Sequence, residues 1–205
     1  MTFIRNDYLD WYIPRMRAGD NAINLHASGV ESLDGEFAAG LAGNPWESAS
    51  AFEAALGSWL GQPAEELLFT PGATGGTLLA LLALGRNGST VLAESPLYEP
   101  MWRQAERLNP VQHFQRRPQD GWRLPVNELH ERLHPNVSVV MITEPHNPSG
   151  ILAPRTEVLE LAEMAGQVGA YLLINEVYRG YSQTPSYHRE AENIVVVSSL
   201  SKFIG

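Results

Sequence analysis

The sequence predicts an α/β protein built on a mostly parallel, helix-covered sheet, and three observations carry that expectation. Short apolar runs of strand length, such as 137–143 and 194–197, alternate with longer segments whose apolar residues recur at helical spacing. These runs are apolar almost throughout, which is the pattern of strands buried on both faces. Several of them end abruptly in polar or glycine-rich residues, at the edge where an open sheet of this kind binds ligands.

Taken in order, residues 1–43 read as an irregular N-terminal arm or partial small lobe. Aromatic and charged residues mix over 7–16, and Gly19, Gly29, Gly35 and Gly40 punctuate the rest of the arm. A helix over 48–60 places Phe52, Leu56, Trp59 and Leu60 on one face and stops at Gly61. The spacing then predicts a short strand over 67–69, a turn over 70–74 and an apolar helix over 75–84 that ends at Gly85. A strand over 90–93, a helix over 98–108, a strand over 111–114 and a helix over 126–133 come next. The long apolar strand 137–143, a helix over 155–168 and strands over 171–174 and 194–197 complete the series.

Composition narrows the function. The 205 residues are 44% hydrophobic and 18% charged, as in folded globular proteins. A net charge of -9 disfavours a partner recognised through its phosphate backbone, so no nucleic acid is expected. The absence of cysteine removes disulfides, thiol nucleophiles and thiolate metal sites together. The most apolar segment, 78–84, is far too short to span a bilayer, so the expectation is a cytoplasmic protein with a small-molecule substrate and no membrane partner.

The strand ends hold the chemistry. Pro71-Gly72-Ala73-Thr74-Gly75-Gly76-Thr77 runs straight into a helix, where small residues admit a phosphate to the backbone and the helix terminus aims N–H groups at it. It lacks the Lys-Ser/Thr ending of a nucleotide loop and the spacing of a dinucleotide fingerprint, so it suits an isolated phosphate; the alternative is a plain tight turn. In Glu94-Ser95-Pro96-Leu97-Tyr98 the tyrosine can stack on a flat ligand or simply pack. Two prolines and a glycine in Glu144-Pro145-His146-Asn147-Pro148-Ser149-Gly150 hold Asn147 as a rigid donor. Asn175 and Tyr178, three residues apart, can both face the same crevice. Lys202 follows the last apolar run. In a low-dielectric crevice its amine loses a proton more readily and becomes a Schiff-base candidate, the alternative being a solvated charge.

A different class of chemistry is written in His130-Glu131-Arg132-Leu133-His134, which matches the HExxH pattern of zinc hydrolases. Pro135 follows at once and the sequence positions no third ligand, so a solvated helix face is the expectation and no metal site is predicted.

The succession Gly72-Ala73-Thr74, Pro96-Leu97-Tyr98, Asn147-Pro148-Ser149-Gly150, Asn175-Glu176-Val177-Tyr178 and Ser199-Leu200-Ser201-Lys202 with Gly205 resembles fold type I pyridoxal-phosphate enzymes, the aspartate aminotransferase superfamily and its class I/II members. The resemblance implies that residues 44–205 are the large, pyridoxal 5'-phosphate-binding domain. A C-terminal small domain, with arginines for the phosphate and the substrate carboxylate, would then lie beyond residue 205. It implies an aminotransferase acting on an amino acid and a 2-oxo acid through an internal aldimine at Lys202, which also shuttles the α-proton, in a homodimer. Ala73, Thr74, Ser199 and Ser201 would hold the phosphate, Tyr98 would stack on the ring, and Asn147 and Tyr178 would bond its phenolic oxygen. Asn175 stands where the family's motif has an aspartate for the ring nitrogen, which weakens the expected electron sink. That leaves other α-carbon chemistry (lyase, decarboxylase or oxidase) and an impaired or truncated member as alternatives. No tyrosine occurs over 41–50 to cross to a partner's phosphate, with Asn44 or Trp46 as substitutes.

Overall fold

The structure, a computed structural model, describes residues 6–17 and 45–202. Its centre is a five-stranded sheet: β1 (Thr90–Ser95), β2 (Val111–Gln115), β3 (Val137–Thr143), β4 (Tyr171–Asn175) and β5 (Ile194–Val197), in the order β2-β1-β3-β4-β5. Every pairing is parallel, as the apolar runs predicted. The helices are α1 (Asp7–Arg17), α2 (Pro45–Leu60), α3 (Gly72–Leu84), α4 (Glu99–Leu108), α5 (Val126–Arg132) and α6 (Arg155–Gln167).

Two apolar layers hold the helices to the sheet. On one face Leu81 of α3 and Met101 and Ala105 of α4 pack on Val91, Ala93, Val139, Met141, Leu173 and Val197. On the other, Leu129 of α5 and Val158, Leu161 and Ala165 of α6 pack on Leu92, Phe114, Val140, Ile142, Leu172 and Ile174. From Val139 to Ile142 successive residues of β3 alternate between the layers, as the two-residue strand period requires, and all seven residues of the strand are buried. Each fully buried aliphatic side chain contributes about 1.5–3 kcal/mol, so this double-faced burial dominates the cohesion of the fold.

Strands β3 and β5 have their expected bounds, and the other expected strands from 90 onward grow by a residue or two at their C-terminal ends. Three expectations fail. Residues 67–69 form no strand, because no neighbouring strand among the described residues offers them a ladder; Leu68 is 77% exposed. The helix expected from 75 begins at Gly72, whose φ of 67° only glycine adopts without strain, so Ala73 and Thr74 belong to its first turn. The arm is not irregular throughout: 7–17 is helical, started by Asn6, whose side-chain oxygen accepts the Leu9 N–H at 2.9 Å. The remainder of the arm, including the loop position Asn44, lies outside the described residues.

Candidate active site

The C-terminal edge of the sheet is not closed evenly. The β1·β2 ladder runs to Ser95 opposite Gln115 and the β3·β4 ladder to Thr143 opposite Asn175, but β1 and β3 last pair at Ala93 and Met141. The two central strands therefore part, and the order β2-β1-β3-β4-β5 makes this the point where connections leave in opposite directions. The loops that carry Tyr98 and Asn147 spring from the two sides of this fork.

The fork is filled by charge. Glu94 sends one carboxylate oxygen to the Thr143 N–H at 2.6 Å, replacing the missing rung of the ladder. Its other oxygen meets Nη1 of Arg116 at 3.2 Å, and the same Nη1 donates to Glu144 at 3.1 Å. The second Glu144 oxygen accepts the Ala153 N–H at 3.0 Å. All three side chains are essentially inaccessible. Burial pushes the Glu94 carboxyl up to about 8 against the opposing pull of Arg116, and burial raises Glu144 as well.

Above them His146 ties the loops together. Its Nε2 contacts the Pro96 carbonyl at 3.2 Å and its Nδ1 contacts the Ser149 hydroxyl at 2.7 Å. Because a carbonyl only accepts, Nε2 carries the proton and Nδ1 accepts from Ser149. Burial, followed by the charge of Arg116, lowers His146 to about 4, so the ring is neutral at ordinary pH. Asn147 follows directly, half-buried in this loop.

The start of α3, where the sequence leads one to expect a phosphate, is built by close approach. A Cβ on Gly76 would lie 3.2 Å from a Val197 methyl carbon and 3.3 Å from the Thr70 hydroxyl. Only a glycine lets the first turns of α3 lie this close to the end of β5. Val197 leads straight into the segment with Ser199, Ser201 and Lys202, so the free N–H groups of the α3 terminus and that segment are neighbours. The Ser199 and Ser201 hydroxyls are 2.9 Å apart, and the Ser199 hydroxyl also accepts the Ser201 N–H at 3.2 Å.

Lys202 sits half-buried in a short 3-10 turn, Leu200–Lys202, with Nζ 5.9 Å from the centre of the Tyr178 ring. Its carbonyl accepts the Tyr181 hydroxyl. Asn175 ends β4 beside Val197 and is 4% exposed. Its side-chain oxygen accepts the Val177 N–H at 3.0 Å, and Nδ2 faces the Met101 sulfur at 2.9 Å. The oxygen is committed to the backbone and one amide hydrogen to Met101, so what Asn175 has left to offer a ligand is its second N–H, a neutral donor.

One wall comes from the arm. The Asp7 and Tyr8 N–H groups, unsatisfied at the start of α1, donate to the Glu99 carboxylate at 3.3 and 2.7 Å. This docks α1 over the start of α4, where Tyr8 meets Tyr98 edge-on at 5.5 Å and stacks on Tyr12 at 5.3 Å. Burial raises the Tyr98 phenol, and Tyr8 and Tyr178 add to the rise, so these rings share one neighbourhood. From the sequence, Tyr8, Tyr12, Arg15 and Arg17 of the arm could line the site, with a solvated or interface arm the preferred expectation; spaced i and i+4, Tyr8 and Tyr12 are a helical pair.

Sequence reasoning passed over Glu94, Arg116, Glu144 and His146. Two acidic residues each closing an apolar strand were the available signal, because a carboxylate there must find a buried partner. The HExxH segment goes the other way. Helix α5 stops at Arg132, so His134 is off the helix on which His130 lies, and both are exposed. No group of three His, Asp or Glu residues able to hold a metal occurs among the described residues.

The family model for aminotransferase class I and II matches residues 33–205. A crystal structure of a PLP-dependent aminotransferase from Streptococcus suis superposes with a TM-score of 0.73 at 30% identity, over 86% of this chain and 53% of that one. A probable N-succinyldiaminopimelate aminotransferase of Mycobacterium tuberculosis is 29% identical over 153 residues, 68% of this chain and 38% of that protein. The cystathionine beta-lyase of Bacillus subtilis is 27% identical over 131 residues, 59% of this chain and 33% of that one. The chain thus spans less than two-fifths of the length of these curated relatives.

Proposed function

The chain belongs to the aminotransferase class I and II family, and on that premise we propose that it is the pyridoxal 5'-phosphate-binding part of an enzyme that moves an amino group between an amino acid and a 2-oxo acid. The observation that carries the reading is Lys202 beside Tyr178, on the segment that continues from the strand against which the α3 terminus is packed. In this reading residues 44–205 are the large domain, 1–43 is the arm, and the protein works as a homodimer in the cytoplasm; the family relationship supports the first two and the dimer, not the compartment.

The residues fit the cofactor. A phosphate dianion takes the N–H groups of Ala73 and Thr74 at a helix N-terminus and the hydroxyls of Thr74, Ser199 and Ser201. Tyr98 offers a ring face, Asn147 and Tyr178 offer donors to the phenolic oxygen, and Asn175 offers one to the ring nitrogen. When bound, pyridoxal phosphate supplies the carbonyl that receives the amino group and the conjugated ring that acidifies the α-hydrogen. Lys202 would hold the cofactor through Nζ and would serve as the base that takes up and returns the proton at the α-carbon. Tyr178 lies close enough to guide that amine. The tyrosine wall from α1 narrows access of water from the arm side.

Adding pyridoxal phosphate to the full-length protein, recording the visible band, reducing with borohydride and mapping the label tests the reading. Label at Lys202 is expected; no band, or label elsewhere, overturns it. The cystathionine beta-lyase relative favours a second reading, β-elimination from a thioether amino acid. Pyruvate and ammonia released without a 2-oxo acid acceptor would identify that chemistry.

A further inference from the structure

The fork between β1 and β3 is a wedge that needs a reason, because two apolar strands would otherwise continue their ladder. We propose that Arg116 is a positioning residue for the site: clamped between Glu94 and Glu144, it sets the separation of the two loops that carry Tyr98 and Asn147. The inference rests on the reading of those two residues as cofactor contacts.

The geometry ties each part of the clamp to one side of the fork. Glu94 lies in β1, four residues before Tyr98, and Glu144 follows β3, three residues before Asn147. Both reach a single guanidinium nitrogen, at 3.2 and 3.1 Å, so moving either loop outward breaks a bond to Arg116. Arg116 is itself anchored. Its N–H donates to the Ser95 carbonyl at 2.9 Å, and its Nε donates to the Trp122 carbonyl at 2.7 Å. Trp122 has a φ of 60°, a left-handed conformation that a bulky side chain adopts only when its surroundings enforce it. The Trp122 ring in turn lies 5.8 Å from His146, which bridges the same two loops. The strained backbone, the shared guanidinium and the bridging imidazole form one connected structure beneath Tyr98 and Asn147.

Charge counting completes the clamp. Two carboxylates face one guanidinium, and neutral His146 adds no positive charge. The other ionisable groups close to it are Glu157 of α6, which acts on Glu144, and Tyr187, on which Glu144 acts. The arginines nearest these two are themselves engaged, Arg123 by Glu157 and Arg155 by Glu190. Both Glu94 oxygens accept, one from the Thr143 N–H and one from Arg116, so the guanidinium is the group that holds the two carboxylate-bearing sides of the fork together.

The test uses the full-length protein with Arg116→Lys, Arg116→Met and Glu94→Gln. Hydrogen exchange is measured without cofactor, and the dissociation constant and absorption maximum with pyridoxal phosphate. The lysine keeps the charge but cannot span both carboxylates while holding Trp122. Both Arg116 variants are expected to exchange at least tenfold faster over 95–98 and 145–151, with β3 and β4 protected as in the parent. Their cofactor affinity should fall at least tenfold with a displaced absorption maximum. Glu94→Gln, whose NH2 must face either the Thr143 N–H or Arg116, should likewise exchange faster over 95–98 and 145–151. Parent-like affinity and absorption in Arg116→Lys, or protection lost evenly through the sheet, would overturn the proposal. Should the parent itself bind no cofactor, the reading of the site fails, while exchange in the two loops still decides whether Arg116 holds them together.

Discussion

Gly76→Ala isolates the contact that places the phosphate end of the site. The added methyl meets a Val197 methyl carbon at 3.2 Å and the Thr70 hydroxyl at 3.3 Å, each a few tenths of an ångström inside ordinary contact. Two effects then oppose. Alanine in a helix interior is favoured over glycine by about 1 kcal/mol, whereas overpacking costs about 1–3 kcal/mol where neighbours cannot yield. Thr70 is restrained by its bond to the Gly72 carbonyl at 2.9 Å, but among the described residues β5 pairs on one side only and can move outward. The two terms should nearly cancel in stability. Relief, however, comes from separating the start of α3 from the segment that leads to Lys202, the two sides of the proposed phosphate site. A tenfold loss of cofactor affinity, about 1.4 kcal/mol, is the expected result, with a melting temperature close to the parent's. The assay is cofactor titration by absorbance alongside thermal melting. Gly88→Ala serves as the control: with φ at 74° and nothing within 4 Å of the added carbon, it should cost about 1 kcal/mol of stability and leave affinity alone. A Gly76→Ala protein that melts higher and binds cofactor as the parent does would refute the claim that this approach builds the phosphate site.

Three further outcomes are expected from the same geometry. Asn175→Asp places a carboxylate oxygen against the Met101 sulfur and should cost the cofactor-free protein about 1–3 kcal/mol; if the neutral amide limits the electron sink, the amino-acid half-reaction, followed by stopped-flow absorbance, should be faster, and an unchanged rate counts against that account. Glu94 is raised in the folded state from 4.5 to about 8, so the folded protein holds the extra proton between those values and stability is fullest at the acid end. It falls as pH rises through that window, by up to about 1.4 kcal/mol per pH unit, with Glu144 and Glu176 shifting the same way. Urea unfolding at pH 5, 6.5 and 8 should show the decline and Glu94→Gln should lessen it, whereas identical slopes in the two proteins would exclude Glu94 as the source. Tyr8→Ala removes the edge contact with Tyr98 and should weaken binding of bulky amino acids about three- to tenfold, read as KM rising with kcat little changed; an equal effect on alanine and phenylalanine would rule out a selective wall.

Strand order apart, the sheet was legible because burial on both faces leaves strands apolar along their whole length, as in Val137–Thr143. The placement of Tyr98, Asn147, Asn175 and Lys202 along one edge of the sheet was legible because each lies at or within a few residues of the end of such a run, and parallel pairing carries all those ends to one edge. Leu67 to Phe69 misled because an apolar triplet states a preference for burial, not the presence of a partner strand. Helix α1 was hidden since its stability depends on Glu99, 91 residues from Tyr8 in sequence. Arg116 was invisible for the same kind of reason. Nothing local distinguishes it from the exposed Arg117 beside it, and its two carboxylates lie 22 and 28 residues away.

That last contrast bears on how such a site is made. A parallel sheet has no inherent gap at its C-terminal edge, since apolar strands gain by pairing to their ends. Opening one between β1 and β3 requires residues that cannot be buried as a simple ladder but can be buried as a charge-balanced set. Glu94 supplies both functions: it accepts the Thr143 N–H that the ladder no longer satisfies, and it brings Arg116 into the opening. A hydrophobic residue at Glu94 would leave that N–H unsatisfied and Arg116 with one partner fewer. The same carboxylate that opens the crevice therefore also holds the guanidinium that spans it, and one cluster accounts both for the gap and for the closeness of its two sides.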